Sequence, residues 1–276
     1  MPLWLIVCIQ SAFQFSDYEG GDGLKEDHAA VTKRKKNTII YLIVLVIGVF
    51  FLTVFLWYQG FLIPNARFAN EYPIKGVDVS AYQGEIVWDQ LEKQDMRFAF
   101  IKATEGSAHV DRYFEMNWHE AKDTRLRIGA YHFFSFDSDG KTQGQHFINT
   151  VPADKDSLPP VIDVEFYGDK EKHPPDVKEV KKELDNMVRM LENHYGKRVI
   201  IYTTSKAYNF YIKNHFEDCD IWIRDVYGKP SLPDKRKWTF WQYTDRERLD
   251  GYEGEEKFID VNVFKGDEEA FREYGR

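Results

Sequence analysis

Cysteine is scarce in this sequence, since only Cys8 and Cys219 occur among 276 residues, and no Cys/His spacing is typical of a zinc site. An excess of basic residues is also missing, because 37 Lys and Arg stand against 45 Asp and Glu and give a net charge of -8. This balance argues against a nucleic-acid partner, which would require clustered cations to neutralise phosphates. A content of 43% hydrophobic and 30% charged residues excludes a disordered tail protein and a polytopic membrane protein.

One long hydrophobic run is present, at residues 38–58, and no charged residue interrupts it. It is long enough to cross a hydrocarbon core of about 30 Å as a helix. The basic cluster KRKK at 33–36 precedes the run, so the positive-inside bias predicts a cytoplasmic N-terminus. We expect a cytoplasmic tail (1–37), a transmembrane anchor (38–63), a linker (64–72) and an extracytoplasmic domain (73–276) on a bacterial plasma membrane. The polar segment 16–37 is predicted to be disordered.

The alternative for this run is a cleaved signal peptide. Such a peptide has an apolar core of about 7–15 residues that ends at small residues. Here the apolar core is longer, and residues 64–67, PNAR, make a poor cleavage site. An uncleaved anchor is therefore the preferred interpretation. Residues 1–15 are also apolar but too short to span a bilayer.

The remaining part of the chain alternates between strand-like runs and helical patterns. Eight runs are predicted to be strands: 75–80, 98–104, 128–136, 161–166, 199–204, 221–226, 238–244 and 258–264. Helices are predicted at 88–95, 112–125, 141–151, 177–195 and 205–216. Alternation of this kind favours parallel strands and a (β/α) barrel, irregular and with fewer than eight helices because the last connections are loop-like. An open doubly wound sheet is the alternative, but no Gly-rich phosphate loop follows the first strand.

Acidic residues recur where barrel strands end, which is the face that carries chemistry in this architecture. Asp163 and Glu165 give the clearest signal, because residues i and i+2 of a strand face the same side, about 6.6 Å apart. Two neighbouring carboxyls raise one another's pKa, so one can serve as a general acid while the other stays ionised. Glycosidic cleavage uses such a pair. The other strand-end acids are Asp78, Glu105, Asp225 and Asp260.

Each of these other candidates also has a structural interpretation. Asp78 and Asp260 fit turn or cap carboxylates, and Glu105 fits a salt bridge to Lys102. Asp225 fits an ion pair with Arg224, and His132 fits a hydrogen-bonded core histidine rather than a base. Aromatic residues near strand ends fit either the core or a surface that stacks on sugar rings; they are Tyr82, Tyr131, Tyr202, Trp241 and Tyr243.

Six motifs in order resemble the family-25 glycoside hydrolases, the lysozymes of the Chalaropsis type. They are GVDVSAYQG (76–84), FIKATEG (100–106), GAYHFF (129–134), PPVIDVE (159–165), WQYT (241–244) and DVNVF (260–264). The resemblance covers about residues 73–265. It implies an irregular (β/α) barrel that hydrolyses the β-1,4 bond between N-acetylmuramic acid and N-acetylglucosamine in peptidoglycan strands, with no cofactor and no metal. The sequence departs from the family pattern at 107–111, SAHVD.

The resemblance also implies roles for individual residues. Glu165 corresponds to the general acid/base, and Asp163 to its partner carboxylate. Asp78 and Asp260 correspond to two further acids of the groove, while Tyr131, Tyr202, Trp241 and Gln242 correspond to positions near the substrate; Tyr82 is a further candidate contact. Substrate assistance by the 2-acetamido group, direct attack by Asp163 and inversion all stay open, as do a catalytically inactive glycan-binding barrel and a glycosidase for chitin or another N-acetylated glycan. The oligomeric state is open as well.

Overall fold

A long apolar helix begins the described part of the chain. The computed structural model describes residues 23–276, with side chains from residue 31, and divides into two compact units, Met1–Phe55 and Leu56–Arg276. Helix α1 spans Gly23–Tyr58, and its segment Val31–Tyr58 is long and apolar enough to cross a membrane. The disorder prediction is therefore wrong for residues 23–37, which are helical. Residues 16–22 and the apolar segment 1–15 lie outside the described residues.

Eight strands close into a barrel in the second unit. In chain order they are β1 (Lys75–Val79), β2 (Met96–Glu105), β4 (Arg127–Phe133), β5 (Val161–Val164), β6 (Ile200–Thr204), β7 (Asp220–Arg224), β8 (Phe240–Glu247) and β9 (Ile259–Phe264). Each pairs with the next, and β9 pairs back with β1. A short ninth strand, β3 (His109–Val110), is added to the end of β2. All eight predicted strands are confirmed, with ends that differ by a few residues.

The last strand departs from the predicted parallel arrangement. The other seven barrel strands pair in parallel with one another, whereas β9 runs antiparallel to both β8 and β1. The short β3, outside the barrel, is also antiparallel to β2. An antiparallel neighbour needs no crossover helix, so the loop 248–258 closes a hairpin directly. The barrel is therefore mixed rather than fully parallel.

Helices cover the outside of the barrel in its first half. They are α3 (Trp88–Glu92), α4 (Phe114–Lys122), α5 (Gly140–Thr150), α6 (Val177–Tyr195) and α7 (Ser205–Ala207), the last continued by a π-helical turn at Tyr208–Ile212. These match the five predicted helices, and residues 225–258, all described, contain none. Two short helices flank the barrel, α2 (Ala66–Ala69) and α8 (Glu268–Glu273). Asn65, next to α2, is buried and its Nδ2 donates to the Asp225 carbonyl at 2.9 Å, so residues of the predicted linker pack on the barrel.

The two ends of helix α6 are determined by residues that the sequence shows directly. The Asp176 carboxylate accepts hydrogen bonds from the backbone N–H groups of Lys178 and Glu179 and caps the first turn. Gly196 ends the helix in the left-handed conformation, at φ 66°, which glycine adopts without steric cost. A buried stripe that includes Leu184 and Leu191 packs this helix against the strands.

Two apolar clusters lie on the two sides of the strands. The larger one joins the outer faces of the strands to the helices, and the smaller one fills one end of the barrel interior with residues such as Phe98, Phe100 and Phe240. Gly129 makes room for this filling, because a Cβ there would lie 2.7 Å from the Phe100 ring. Alternate residues of each strand therefore point into the barrel, and they become polar toward its other end.

Candidate active site

Asp163 and Glu165 line one cavity at the polar end of the barrel, of about 180 Å³. Asp163 is the third residue of β5, and Glu165 directly follows the strand. The period-two spacing brings both side chains to the interior side, as the sequence predicts. The two carboxyls therefore face the same enclosed space.

Burial changes the acidity of this pair. Burial and then the nearby Glu165 charge raise the pKa of Asp163 well above its ordinary value, while Lys102 opposes the shift. Burial also raises the pKa of Glu165, against the opposing charge of Arg224. Among the described residues no hydrogen-bond partner reaches the buried Asp163 Oδ1. A proton is thus retained within the pair at pH values at which exposed carboxyls are ionised.

Asp78 and Asp260 lie opposite each other in the same cavity. They are register partners on β1 and β9. Asp260 stands near the start of its strand, but β9 is antiparallel, so its beginning lies at the rim where the parallel strands end. Burial raises the pKa of Asp78 to about 6, and burial followed by the Asp78 charge raises the pKa of Asp260 well above its ordinary value. Both are strand residues of the site, Asp78 buried and Asp260 half-buried, rather than turn or cap carboxylates.

Amide side chains hold the Asp78 carboxylate in place. Asn262 Nδ2 donates to Asp78 Oδ1 at 2.7 Å, and Gln242 Nε2 donates to the same carboxylate at 3.1 Å. Trp222 Nε1 donates in turn to Asn262 Oδ1 at 2.8 Å, and the Tyr202 hydroxyl donates to Gln242 Oε1 at 2.8 Å. These four neutral groups lie on four strands, β6 to β9, beneath the acids.

The predicted tyrosines come together at the cavity. Tyr82, Tyr131 and Tyr202 all line it. Burial and then neighbouring carboxylates raise the pKa of Tyr131 and of Tyr202 well above the ordinary value, so both phenols stay protonated and can donate hydrogen bonds. Tyr82 is 55% exposed and stands at the entrance, where a ring can contact a sugar face.

Trp241 and Gln242 are not part of the cavity wall. Trp241 is 0% exposed, and its Nε1 donates to the Asp225 carbonyl at 2.8 Å. Its ring packs against Trp238 and Tyr72 on the outer side of β8. Gln242 points to the barrel interior but contacts Asp78 rather than open space. The structure therefore gives Trp241 a packing position and Gln242 a supporting one.

Three other sequence interpretations have clear outcomes. Glu105 forms the expected salt bridge, with Lys102 Nζ at 2.8 Å from its Oε2. His132 is a core histidine: its Nδ1 lies 2.7 Å from Thr104 Oγ1 and its Nε2 lies 3.0 Å from Gln143 Oε1, while burial lowers its pKa to about 4. The prediction of an ion pair between Arg224 and Asp225 is wrong.

The actual partner of Arg224 is Asp245, which lies across the β7–β8 pair, and the two side chains meet at 2.7 Å. Asp225 instead accepts hydrogen bonds from the backbone N–H groups of Tyr227 and Gly228 in a turn.

Several residues of the cavity were not singled out by sequence reasoning. Lys102, Phe133, Trp222 and Glu256 also line it. Lys102 is the next interior position of β2 after Phe98 and Phe100. The alternation of this strand could therefore have predicted that Lys102 faces the barrel interior. Glu256 lies in the loop 248–258 and accepts a hydrogen bond from Gln83 Nε2 at 3.1 Å, a long-range contact that no local pattern indicates. Among the described residues, no group of three or more His, Cys, Asp or Glu side chains is arranged to hold a metal ion.

Comparison with known proteins identifies the class to which this barrel belongs. Residues 77–252 match the family model of glycosyl hydrolases family 25. Lysozyme M1 of Streptomyces globisporus is 30% identical over 214 residues, which cover 72% of this chain and 70% of that protein. The uncharacterised protein YegX of Escherichia coli K12 is 34% identical over 213 residues, 75% of each chain.

Solved structures agree with the sequence comparisons. A family 25 glycosyl hydrolase from Bacillus anthracis has a TM-score of 0.72 and 62% identity, and the match covers 75% of this chain and 95% of that one. The bacterial lysozyme of Streptomyces coelicolor has a TM-score of 0.65 and 26% identity over 73% of this chain and 96% of the other. The chain belongs to glycosyl hydrolase family 25, and it is a glycosidase.

Proposed function

We propose that this protein hydrolyses peptidoglycan at the β-1,4 bond between N-acetylmuramic acid and N-acetylglucosamine. The observation that carries the proposal is the pair Asp163 and Glu165, side by side in an acidic cavity of a family-25 barrel. The similarity to Lysozyme M1 supports the choice of substrate. The cavity opens at the rim where barrel enzymes carry out their chemistry.

In the proposed mechanism Glu165 gives its proton to the glycosidic oxygen that leaves. Its raised pKa supports this role, because a general acid must hold its proton near the working pH. Asp163 then stabilises the positive charge that develops on the sugar, or orients the substrate's own 2-acetamido oxygen for attack. Glu165 finally takes a proton from the attacking water. Substrate assistance of this kind gives retention of configuration.

Further side chains support the reaction from the rim. Asp78 and Asp260 present acidic groups to the same space, and their protonated forms can donate hydrogen bonds to sugar hydroxyl or acetamido oxygens. Tyr131 contributes a neutral phenol donor, the Tyr202 hydroxyl oxygen can accept a hydrogen bond because its proton goes to Gln242, and Tyr82 offers a ring at the entrance. Burial and the Glu165 charge favour a proton on Asp163, whereas Lys102, at the cavity wall, opposes it. The mechanism uses the form of the pair in which the proton lies on Glu165.

The test is digestion of purified peptidoglycan by the full-length chain in detergent micelles. We expect new reducing ends on N-acetylmuramic acid, and we expect Glu165→Gln to lower kcat by about 10²- to 10⁴-fold because the general acid is lost. Glu268→Gln is the matched control, since Glu268 is exposed, pairs with Arg97 and does not line the acidic cavity. Reducing ends on glucosamine, or near-normal turnover by Glu165→Gln, would contradict the assignment.

We also propose that residues 38–63 anchor the chain as a single pass in a bacterial plasma membrane. Residues 1–37 would then be cytoplasmic, residues 64–72 would connect, and residues 73–276 would act outside the membrane. The apolar helix Val31–Tyr58 supports an anchor, and the cluster at 33–36 supports its direction. A tethered enzyme would cleave wall strands that lie close to the membrane.

Protease treatment of intact spheroplasts tests this topology. We expect residues 73–276 to be degraded from outside, and the untreated chain to keep its full-length mass in the membrane fraction. A shorter mature chain released into the medium would show that the apolar helix is a cleaved signal. A full-length chain protected from protease would place the barrel inside the cell.

A further inference from the structure

A second cavity, of about 700 Å³, opens beside the acidic one. We call it the outer groove; its walls include Tyr58, Gln59, Arg246, Lys257 and Phe258. The two cavities share Glu165, Tyr202, Glu256 and Asp260. The outer groove is therefore continuous with the acidic cavity.

Part of this wall comes from outside the region that matches the family, which begins at residue 77. Tyr58 is the last residue of α1, and Gln59 follows it; both belong to the unit Leu56–Arg276. Tyr58 and Gln59, which form this part of the groove wall, therefore precede the segment that matches the family model.

The end of β8 and the loop that follows it fix this segment by hydrogen bonds. Arg246 Nη1 donates to the Tyr58 carbonyl at 2.9 Å, and Arg248 Nε donates to the Gln59 carbonyl at 2.7 Å. Lys257 Nζ donates to Gln59 Oε1 at 2.7 Å. Cations suit this place, because the last carbonyls of a helix lack intrahelical partners and carry partial negative charge.

Close packing adds to these bonds at Gly60. Its φ is 74°, and a Cβ there would lie 2.4 Å from the Arg246 carbonyl oxygen and 2.7 Å from the Phe258 ring. Only glycine allows this approach. The wall at Tyr58 and Gln59 is consequently held against the barrel by several independent contacts.

The Tyr58 ring has the surroundings of a sugar platform. The Arg246 guanidinium lies 5.3 Å from its centroid, yet Tyr58 remains 60% exposed. A flat ring supported by a cation offers an apolar surface next to a polar hydroxyl, which suits a pyranose with its apolar C–H face and polar rim. Glu165 lies in the same groove.

We propose that Tyr58 contacts the glycan strand, holding a saccharide unit beyond those that span the scissile bond. This inference rests on the proposed function, since it names a contact for the same glycan. The last residue of the apolar helix is then part of the substrate groove and lies at the outer membrane surface, so under this proposal the membrane-embedded part of the 38–63 segment ends before Tyr58. Tyr58 itself then contributes to the choice of long strands over short fragments.

The experiment compares two substrates with the full-length chain in detergent micelles. One is a long, uncrosslinked peptidoglycan strand, and the other is a tetrasaccharide too short to fill both cavities. We expect Tyr58→Ala to raise KM for the long strand by about tenfold, the size of one lost ring contact. The kcat should change less than twofold, and both constants for the tetrasaccharide should stay within twofold of the wild-type values.

Matched variants separate contact from folding. Tyr58→Trp keeps a ring and should keep the wild-type KM, whereas Tyr58→Leu keeps apolar volume without the flat ring and should behave like Tyr58→Ala. Tyr227→Ala is the control, because Tyr227 is 78% exposed and lies outside both cavities. Should Tyr58→Ala fail to fold, Tyr58→Leu carries the test.

Three results would overturn the proposal: an unchanged KM for the long strand, an equal loss on both substrates, or an effect that appears only in lipid vesicles, which would make Tyr58 a membrane contact. An inactive wild-type chain on both substrates would instead reject the proposed function.

Discussion

The two ends of the barrel interior are built from the same strands but differ in chemistry. At one end Phe98, Phe240 and Phe264 pack together, with ring centroids 5.2 Å and 5.3 Å apart. At the other end Asp163 and Asp78 are buried. The first end stabilises the fold by burying apolar area, whereas the second costs stability because buried carboxyls lose their hydration. Function is thus concentrated at the end that stabilises least.

A layer of neutral polar groups separates these ends. Two chains of hydrogen bonds form this layer and end on Asp78. One runs from Trp222 through Asn262, and the other from Tyr202 through Gln242. Each offers a donor or acceptor without bringing a second charge into the interior. On β9, for example, Asn262 stands between Phe264 of the aromatic end and Asp260 of the acidic end.

The largest expected effect is at the acidic end. Asp163→Asn should lower kcat by about 10²- to 10⁴-fold, because the charge that stabilises the developing cation is lost. The free energy of unfolding should not fall, since the substitution removes a buried acid whose Oδ1 has no partner among the described residues. Turnover and urea denaturation in detergent measure the two quantities. The comparison fails if Asp163→Asn destabilises the fold as strongly as a core deletion.

The aromatic end should show the opposite pattern. Phe98→Ala should lower the free energy of unfolding by about 3–5 kcal/mol, because the ring leaves a cavity among buried aromatic residues. The kcat of the folded fraction at low temperature should stay within twofold of the wild-type value. Phe210→Ala is the control, since Phe210 is 38% exposed. A large loss of turnover in a folded Phe98→Ala chain would break the proposed division of labour.

A third test uses pH to isolate Asp78. Its pKa in the folded protein is about 6 and its ordinary value is 3.8, so the folded state binds this proton more tightly than the unfolded state. The stability that protonation contributes is present below pH 4 and is lost as the pH rises through 6. Asp78→Asn should therefore gain about 2 kcal/mol relative to wild type between pH 4 and pH 7.

Urea denaturation at both pH values checks this expectation, with Asp218→Asn as the exposed control. A constant difference between wild type and Asp78→Asn across this range would show that the carboxyl titrates normally in the folded protein.

The smallest effect is expected at a glycine of the aromatic end. Gly129→Ala should cost about 1–3 kcal/mol, because its Cβ would overlap the Phe100 ring. In a Phe100→Leu background, Gly129→Ala should lower the free energy of unfolding by less than it does in the wild type, because the smaller side chain leaves room for the Cβ. Gly228→Ala is the control, since a Cβ at Gly228 meets nothing within 4 Å. Equal losses at the two glycines would show that the interior has room to spare.

Much of the barrel could be predicted from local patterns. Each strand is a short apolar run between turn signals, and Asp163 and Glu165 share a face by spacing alone. Trp241 shows where such reasoning ends. A strand buried on both faces reads as apolar throughout, so the pattern does not say whether Trp241 or Gln242 points into the barrel. Only the closure of the sheet puts Gln242 inside and Trp241 against the outer layer.

The sequence by itself determined the eight strands, the acidic couplet at residues 163–165 and the apolar helix, because each depends on neighbours within a few residues. The tertiary structure decided the direction of β9, the entry of Glu256 into the cavity and the seat of Tyr58 beside the outer groove. Glu256, Tyr58 and the pairing of β9 with β1 depend on contacts between residues more than a hundred positions apart, and local periodicity encodes neither these contacts nor the direction of a strand. The position of Asp260 depends on both. The sequence shows an acidic residue in this strand, but only the antiparallel direction of β9 brings that residue to the catalytic rim.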